Sequence, residues 1–197
     1  MAPRKKDDIF DATLTLLAEK GYEGLTIEGV AERSGVNKTT IYRWWPSKAA
    51  LLGTALTEAR AFDFDAPDTG SLRGDLRALL DGLAWMLTTP PAADIAVAAL
   101  GAAANNPELA AAAKGFFADR FTREGPIFER ARERGEIDDH ADPMTIMDLL
   151  AGAVWLRVVF RQLPLDDGFT ERAVNAVLDG VGRPGDPEAG RPAPTGG

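Results

Sequence analysis

Hydrophobic residues recur at helical spacing along most of the chain. The first stretch, residues 7–20, has apolar or small side chains at positions i, i+3, i+4 and i+7, the spacing of an amphipathic α-helix. These positions are Ile9, Ala12, Thr13 and Leu16. Gly21 follows and is expected to end the helix as a left-handed cap. Sustained alternation of apolar and polar residues, the pattern of strands, is missing from the sequence. The pattern therefore predicts an all-α protein.

Two short helices joined by a tight turn are predicted next. Thr26 can cap a helix that runs through residue 34, and Asn37 can cap another that ends near Trp44, because the following Trp-Pro step disfavours helical backbone. Gly35 lies between them and is free to take the positive φ of a sharp turn. Helices of this length, joined in this way, have the dimensions of a helix-turn-helix.

Six more helices are predicted, which makes about nine in total. Ser47 can cap the first of them, which reaches about residue 62, and the polar residues 63–70 form a connector. The others are expected at residues 71–88, 92–104, 108–134, 142–162 and 170–182. We expect three parts: a three-helix helix-turn-helix domain at residues 1–50, a helical bundle domain at residues 51–182, and a disordered tail rich in proline and glycine at residues 183–197.

The predicted helix at residues 142–162 is apolar on nearly every face. Such a helix has to be covered all round, and a partner subunit does this more readily than one monomer. We expect this helix to form a four-helix-bundle dimer interface with the helix at 170–182, which Thr170 can cap while Phe169 packs against Val174. The expected interface residues are Val154, Val158, Arg161, Val174, Val177 and Leu178.

The amino-acid composition excludes several classes of protein and of functional site. The chain has 197 residues, enough to bury a core without disulfides, and it has no cysteine, which excludes disulfides, zinc fingers and thiol nucleophiles. The N-terminus lacks the apolar region of a signal peptide, and no apolar stretch approaches the roughly 18 to 20 residues of a membrane span. We expect a soluble, cytoplasmic protein that does not contact a membrane.

Charge is divided unevenly along the chain. Residues 1–60 carry 9 Lys and Arg against 8 Asp and Glu, whereas residues 61–197 carry 13 against 22, within a net charge of −8. The nearly neutral first part can approach a polyanion more readily than the acidic remainder. The asymmetry alone would also suit many neutral helical domains.

The second helix of the helix-turn-helix separates into two faces on a helical wheel. Val36, Ile41 and Trp45 face the small core, since the last two are related as i and i+4. The opposite face presents Thr39, Thr40 and Arg43, flanked by Tyr42 and Trp44, with Lys38 at the start. A planar guanidinium can pair with guanine O6 and N7, while hydroxyl groups reach phosphates or a thymine methyl. Lys48, in the first turn of the next helix, could bring its ammonium and free helix amides to a phosphate. This face therefore suits a DNA groove.

The stretch GLTIEGVAERSGVNKTTIYRWWPSKAALL resembles the helix-turn-helix signature of the TetR family of transcriptional repressors. The similarity covers about residues 5–56, and the remaining two-thirds resembles the family in its all-helical plan. At position 44 the family often has a polar or basic residue; Trp44 could donate its indole N–H to phosphate or lie along a sugar, but it adds no charge. The candidate DNA-binding residues are Thr26, Lys38, Thr39, Thr40, Tyr42, Arg43, Trp44 and Lys48.

Large apolar residues in the second domain could enclose a small molecule. The candidate ligand-binding residues are Trp85, Met86, Phe116, Phe117, Phe121, Phe128, Met147 and Trp155. Any single one is expected in the core rather than in a pocket, but several aromatic and methionine side chains together can line an apolar site of a few hundred Å³. Gly125-Pro126 is expected to interrupt the helix at 108–134, as a kink or as a movable wall. Arg157 and Arg161 could anchor an anionic effector or form salt bridges.

The resemblance implies a homodimeric transcriptional regulator, a repressor, that binds a palindromic double-stranded DNA operator and is released by a small apolar or amphipathic effector. An effector that promotes DNA binding stays open as well. No metal-binding group, catalytic triad or Gly-rich phosphate loop can be assembled, so we expect no cofactor and no enzymatic activity. Two other function classes are weighed against this: an all-α enzyme with its active site in the C-terminal cavity, and an adaptor that binds protein through residues 38–45.

Overall fold

The structure is a computed structural model that describes residues 5–58 and 65–180. Within these ranges it contains nine α-helices and no strand, which confirms the predicted all-α fold. They are α1 (Lys6–Gly24), α2 (Ile27–Ser34), α3 (Lys38–Trp44), α4 (Lys48–Glu58), α5 (Leu72–Thr88), α6 (Ala92–Ala103), α7 (Pro107–Glu133), α8 (Pro143–Trp155) and α9 (Phe169–Leu178). A π-helical turn, Leu156–Phe160, extends α8. The predicted tail at 183–197, and the predicted helix ends at 62 and 182, lie outside the described residues.

The predicted boundaries of the helix-turn-helix are confirmed by its capping bonds. Thr26 Oγ1 accepts a hydrogen bond from the Gly29 N–H at 3.1 Å, and Asn37 Oδ1 accepts one from the Thr39 N–H at 2.9 Å. Gly35 ends α2 with φ 65° and ψ 25°, a left-handed conformation in which a Cβ would be strained. These local bonds fix where α2 ends and α3 begins.

One predicted helix end is confirmed in part and another is wrong. Gly21 breaks α1 with a positive φ of 65°, as predicted, but its ψ of −179° is not that of a left-handed helical cap. A further turn after the break reaches Gly24, where the N–H of buried Leu25 bonds back to the Gly21 carbonyl. Thr170 does not cap α9, because Gly168 in the left-handed conformation precedes that helix. The Thr170 hydroxyl instead donates to Asp81 of α5 at 2.6 Å, a tertiary contact that outweighs the local cap.

The expected interruption of α7 at Gly125-Pro126 is absent from the described backbone, where Pro126 lies inside a continuous helix. A proline in a helix interior removes one hydrogen bond and costs about 3 kcal/mol. The residues immediately after it, Ile127, Phe128 and Ala131, are buried in the core. Their packing compensates for the lost bond, so α7 continues from Pro107 to Glu133.

Two hydrophobic cores organise the fold. The first lies among α1–α4 and also takes in Ile95 of α6 and Leu109 of α7. Its aromatic centre is Phe10, which packs edge to face against Trp45 with ring centroids 5.6 Å apart. The helix-turn-helix is therefore seated on α6 and α7 and shares a core with them. A sharp boundary at residue 50, as the sequence predicts, does not separate the two cores; the proposed domain limits stay predictions.

The second core is formed by α5, α7, α8 and α9. Val154 and Val174, which were expected at the dimer interface, are buried inside it at 0% and 1% exposure. This part of the prediction is wrong because α9 packs against α5 and α8 of the same chain. The predicted interface residues Val158, Val177 and Leu178 are half-buried against the same core. Only Arg161 among the six is exposed.

The expectation that no apolar stretch approaches the length of a membrane span is wrong. The 18 residues Pro143–Phe160 have a mean hydropathy of 1.5, which is enough by length and composition for a membrane span. Only 11% of that segment is buried inside the monomer. Core helices of soluble proteins meet the same criterion, but they are mostly buried. The low burial here means that much apolar surface on α8 is not covered by the described part of the chain.

Candidate DNA-binding surface and effector cavity

The two tryptophans at the end of α3, Trp44 and its C-cap residue Trp45, have opposite environments. Trp45 is 7% exposed and packs in the first core with Ile41, whereas Trp44 is 39% exposed. Consecutive residues of a helix point about 100° apart, so one of two adjacent side chains can be buried while the other faces solvent. The predicted faces of α3 are confirmed in this respect. Burial of Trp45 holds the exposed face in a fixed orientation.

The exposed face of α3 carries most of the predicted DNA-binding residues. Thr39, Tyr42, Arg43 and Trp44 are exposed, and Thr40 is half-buried beside them. No ion pair joins Arg43 to another described residue, so its guanidinium is available to an acceptor outside the chain. A planar fork of donors beside hydroxyl groups is suited to base edges and phosphates in the major groove.

Two of the predicted contacts already have partners within the chain. Lys38 lies 3.7 Å from Glu28 in an exposed ion pair, which phosphate could displace at small cost. Thr26 uses its side-chain oxygen as the cap of α2, yet its hydroxyl proton remains able to donate. Lys38 is the first residue of α3, and Thr26 lies at the start of α2; both side chains are exposed.

Lys48 has an environment that the sequence did not reveal. Its ammonium donates to the Tyr22 carbonyl at 2.8 Å and lies 4.2 Å from the centroid of the Tyr22 ring. This side chain is half-buried and directed toward the end of α1. Burial, with the carboxylates of Glu108 and Glu23, raises the pKa of the Tyr22 hydroxyl, which keeps the ring neutral. The expected phosphate contact would require Lys48 to leave these partners.

Five polar residues join the helix-turn-helix to the start of α7, and we call them the joint. Ser47 Oγ lies 3.0 and 2.9 Å from the two carboxylate oxygens of Glu108, and it also caps α4 by accepting from the Ala50 N–H. Asn106, the cap of α7, donates from Nδ2 to the Tyr22 hydroxyl at 3.1 Å. The members are Tyr22, Ser47, Lys48, Asn106 and Glu108. Sequence reasoning missed the joint because its bonds span 61 and 84 residues.

Close packing reinforces this connection. A Cβ atom added at Gly53 of α4 would lie 2.7 Å from the Cβ atom of Ala112 on α7. Real Cβ atoms do not approach this closely, so glycine permits the two helices to touch. A small residue at this position and the joint together hold α4 against the N-terminal half of α7.

A cavity of about 940 Å³ opens between α5, α7 and α8. Seven of the eight predicted ligand-binding residues line it: Trp85, Met86, Phe116, Phe117, Phe121, Met147 and Trp155. Phe128 does not, because it is 1% exposed in the second core. Phe121 and Phe128 are seven residues apart on α7, and only the tertiary packing decides that one faces the cavity and the other the core. The volume suits a drug-sized molecule.

Charged side chains in the cavity wall were missed by sequence reasoning. Arg120 Nε lies 3.3 Å from Glu124 Oε1, and the Glu124 side chain is only 7% exposed. Burial raises the pKa of Glu124 and lowers that of Arg120, while the attraction between them acts in the opposite direction on each. Asp65 and Asp148 also line the cavity. The spacing could have revealed the pair, since residues 116, 120 and 124 share one helix face.

Arg157 lies away from the cavity. Its Nε donates to the Pro164 carbonyl at 2.9 Å, and its guanidinium lies 3.5 Å from Asp166 and 5.0 Å from the Phe169 ring centroid. These contacts join the π-helical turn to the segment before α9. They favour the salt-bridge interpretation over an effector anchor.

Three large apolar side chains form an exposed stripe, which we call the apolar face. Leu149, Leu156 and Phe160 are 57%, 54% and 67% exposed. Their spacing of i, i+7 and i+11 places them on one side of α8 and its π-helical extension. Arg161 follows at the edge of the stripe and is exposed.

In the described residues no group of three or more His, Cys, Asp or Glu is placed to hold a metal ion.

A helix-turn-helix with an exposed Arg, Thr and Tyr face, bonded to a helical body that encloses an apolar cavity, defines a DNA-binding transcriptional regulator with a helical second domain. Comparison with known families agrees. Residues 9–55 match the model of bacterial regulatory proteins of the tetR family, and residues 66–177 match the tetracyclin repressor-like C-terminal domain. The chain belongs to the TetR family of transcriptional regulators.

Individual relatives align along most of the chain. The HTH-type transcriptional regulator AqdR of Rhodococcus erythropolis is 29% identical over 177 residues, covering 90% of this chain and 85% of AqdR. The DNA-binding transcriptional repressor TetR of Mycobacteroides abscessus is 33% identical over 175 residues, covering 87% and 90%. The crystal structure of the TetR family regulator SCO0332 has a TM-score of 0.77 at 36% identity, covering 92% of this chain and all of that one.

A more distant structure shares the fold. FadR from Bacillus subtilis, crystallised in complex with stearoyl-CoA, has a TM-score of 0.66 at 18% identity and covers 89% of this chain and 98% of its own. The similarity at that identity concerns the arrangement of helices alone.

Proposed function

We propose that this regulator is a homodimeric repressor whose affinity for a two-fold symmetric operator falls when a small molecule occupies the cavity. The observation that carries the proposal is the course of α7: its first turn is bonded to the helix-turn-helix through the joint, and its middle lines the cavity. A ligand that moves the middle of α7 therefore acts on the support of the recognition helix. The proposed site of action is cytoplasmic, where the DNA partner lies.

The roles within the DNA-binding surface follow from exposure and chemistry. We assign base reading to Arg43, with Thr39 and Thr40 beside it on the exposed side of α3. We assign four other exposed residues to the sugar-phosphate backbone: Tyr42 and Trp44 on the flanks of α3, Lys38 at its start, and Thr26 at the start of α2. Lys48 is reassigned from phosphate contact to the joint, because its ammonium is bonded to Tyr22.

Dimerisation is proposed through the apolar face. Leu149, Leu156 and Phe160 form a continuous stripe on α8 that the described part of the monomer leaves uncovered. A second copy that presents the same stripe around a two-fold axis would bury both, and isologous contacts of this kind close without further growth. Pairing α8 and α9 with their copies would give the four-helix bundle expected from the sequence.

The coupling between cavity and operator is a two-state linkage. A ligand shifts the equilibrium toward the state that binds it better, and operator affinity falls only by the differential affinity of the ligand for the two states. Movement of α7 is transmitted to α4 by the Gly53–Ala112 contact and by the Ser47–Glu108 bond. The recognition helices of the two subunits would then no longer match the spacing of the half-sites.

Footprinting on the DNA upstream of the coding gene tests this proposal. We expect a near-palindromic protected site whose half-sites lie about 10 bp apart, one helical turn. Adding effector should remove the protection. Protection that increases with the effector would reverse the proposed direction, and protection of a single unsymmetrical half-site would contradict the dimeric mode. An enzyme or a protein-binding adaptor would protect no site.

A further inference from the structure

The cavity wall combines aromatic rings with an excess of carboxylates. Five aromatic side chains from three helices face it: Trp85, Phe116, Phe117, Phe121 and Trp155. Phe116 and Phe117 contact each other edge to face, with centroids 5.5 Å apart. Ring faces carry negative electrostatic potential and attract cations, most strongly where water is excluded. The wall therefore favours a positively charged ligand over a negative one of equal size.

The fixed charges of the lining act in the same direction. Among the described residues, three carboxylates, those of Asp65, Glu124 and Asp148, line the cavity together with one guanidinium, that of Arg120. Arg120 is paired with Glu124. Asp148 makes no ion pair with any described residue, so its charge is not neutralised by a neighbour within the known part of the chain. An entering anion would meet this excess of negative charge, whereas an entering cation would be attracted by it.

The environment of Glu124 gives a further reason to expect a positively charged ligand. Its side chain is 93% buried, and this burial deprives the carboxylate of water, so its pKa is raised despite the nearby Arg120. A buried carboxylate is stabilised by any additional positive charge in contact with it. A cation in the cavity could supply the stabilisation that hydration provides outside.

We propose that the effector of this regulator is a lipophilic cation, with an aromatic or alkyl body that fills the apolar wall and an ammonium or phosphonium centre held by the aromatic rings, Asp148 and Glu124. This rests on the proposed function of the cavity and specifies the class of ligand. The cavity of about 940 Å³ is large enough for a drug-sized cation. A quaternary centre suits the site because it needs no hydrogen-bond partner.

Probes of equal shape and opposite charge test the inference. Tetraphenylphosphonium and tetraphenylborate differ chiefly in the sign of their charge, and triphenylphosphine oxide is a neutral analogue. Binding of each to the full chain is measured by titration calorimetry, and operator release by fluorescence anisotropy. We expect the cation to bind at least about tenfold more tightly than the anion and to release the operator.

Variants locate the effect in the cavity. Asp148→Asn and Glu124→Gln should each reduce the affinity for the cation by about threefold to tenfold. Each should also reduce the ratio of the affinity for the cation to that for the anion. Asp119→Asn removes the same charge from an exposed position on α7, where Asp119 pairs with Arg123, and should leave all affinities unchanged. Asp148 is exposed, so its variant reports on charge even if Glu124→Gln loses stability.

The possible failures are distinct. Equal binding of all three probes, or tighter binding of the anion, would overturn the charge preference and leave the effector cavity in place. Equal effects of Asp119→Asn and Asp148→Asn would overturn the assignment to this cavity. If no probe binds, the inference fails, while footprinting on the operator still judges the proposed repressor function by itself.

Discussion

Ser47 Oγ lies within 3.0 Å of both carboxylate oxygens of Glu108, and this contact links the N-terminal cap of α4 to the first turn of α7. The two residues belong to different parts of the molecule: Ser47 follows the recognition helix, while Glu108 begins the helix that lines the cavity. Removing the bond should therefore affect communication between the sites more than either site alone.

Glu108→Ala is expected to weaken this communication. The variant should still bind operator and effector, but the effector should lower operator affinity by a factor about fivefold smaller than in the parent protein, within the usual range of coupling energies. Anisotropy titrations of operator with and without effector measure the factor. Glu133→Ala, at the exposed far end of α7, is the matched control. An unchanged factor in Glu108→Ala would exclude the joint from the coupling.

Arg43→Ala is expected to weaken operator binding by about 1 to 3 kcal/mol and to relax specificity at one base pair in each half-site, because a bidentate contact to guanine would be lost. A panel of operators substituted base by base shows this. The control is Arg33→Ala, since Arg33 lies on α2 of the same module and is paired with Glu19 of α1 at 2.7 Å. A uniform loss of affinity across the panel would assign Arg43 to phosphate instead.

Lys48→Met tests the reassignment of Lys48. The bond to the Tyr22 carbonyl and the contact with its ring are lost, so the free energy of unfolding should fall by about 1 kcal/mol, measured by urea denaturation. The salt dependence of operator binding should keep its slope. Lys38→Met, by contrast, should lower that slope by about one without loss of stability. A reduced slope in Lys48→Met would restore the phosphate contact predicted from sequence.

Phe160→Glu tests the apolar face as a dimer interface. The side chain is 67% exposed in the monomer, so the charge should be tolerated there, whereas burial against a second copy would cost several kcal/mol. Sedimentation should show folded monomers with weakened operator binding. Val97→Glu introduces the same charge at an exposed apolar position on α6 and should remain dimeric. A dimer that persists in Phe160→Glu would place the interface elsewhere.

Glu124→Gln tests the effect of burial on the cavity carboxylate. Because burial raises the pKa of Glu124 above the ordinary value of 4.5, folding takes up a proton in the window just above that value. The contribution of this group to stability therefore falls as pH rises through the window. The Tm of the variant minus that of the parent should therefore increase with pH, because only the parent loses stability. Glu133→Gln, an exposed change on the same helix, should show no such trend. A constant difference in Glu124→Gln would contradict the raised pKa.

Local interactions explain what could be predicted from the sequence. The helices follow from apolar spacing over a few turns, and the caps at Thr26 and Asn37 are bonds between residues two or three positions apart. The shared burial of Ile41 and Trp45 follows from their i, i+4 relationship across the last turn of α3 and its C-cap. Each depends on neighbours within one turn, so the order of residues alone determines it, and with it the DNA-binding class of the protein.

The features that the sequence did not predict depend on long-range packing. Phe121 lines the cavity and Phe128 lies in the core, although both are large and apolar on the same helix. Val154 and Val174 are as hydrophobic as the apolar face, yet they are buried within the monomer. Helical periodicity shows which residues share a face but not what that face meets. The partner of Lys48 and the joint likewise depend on how α1, α4 and α7 are brought together, because hydrophobic burial is not directional and is settled only by the shape of the whole fold.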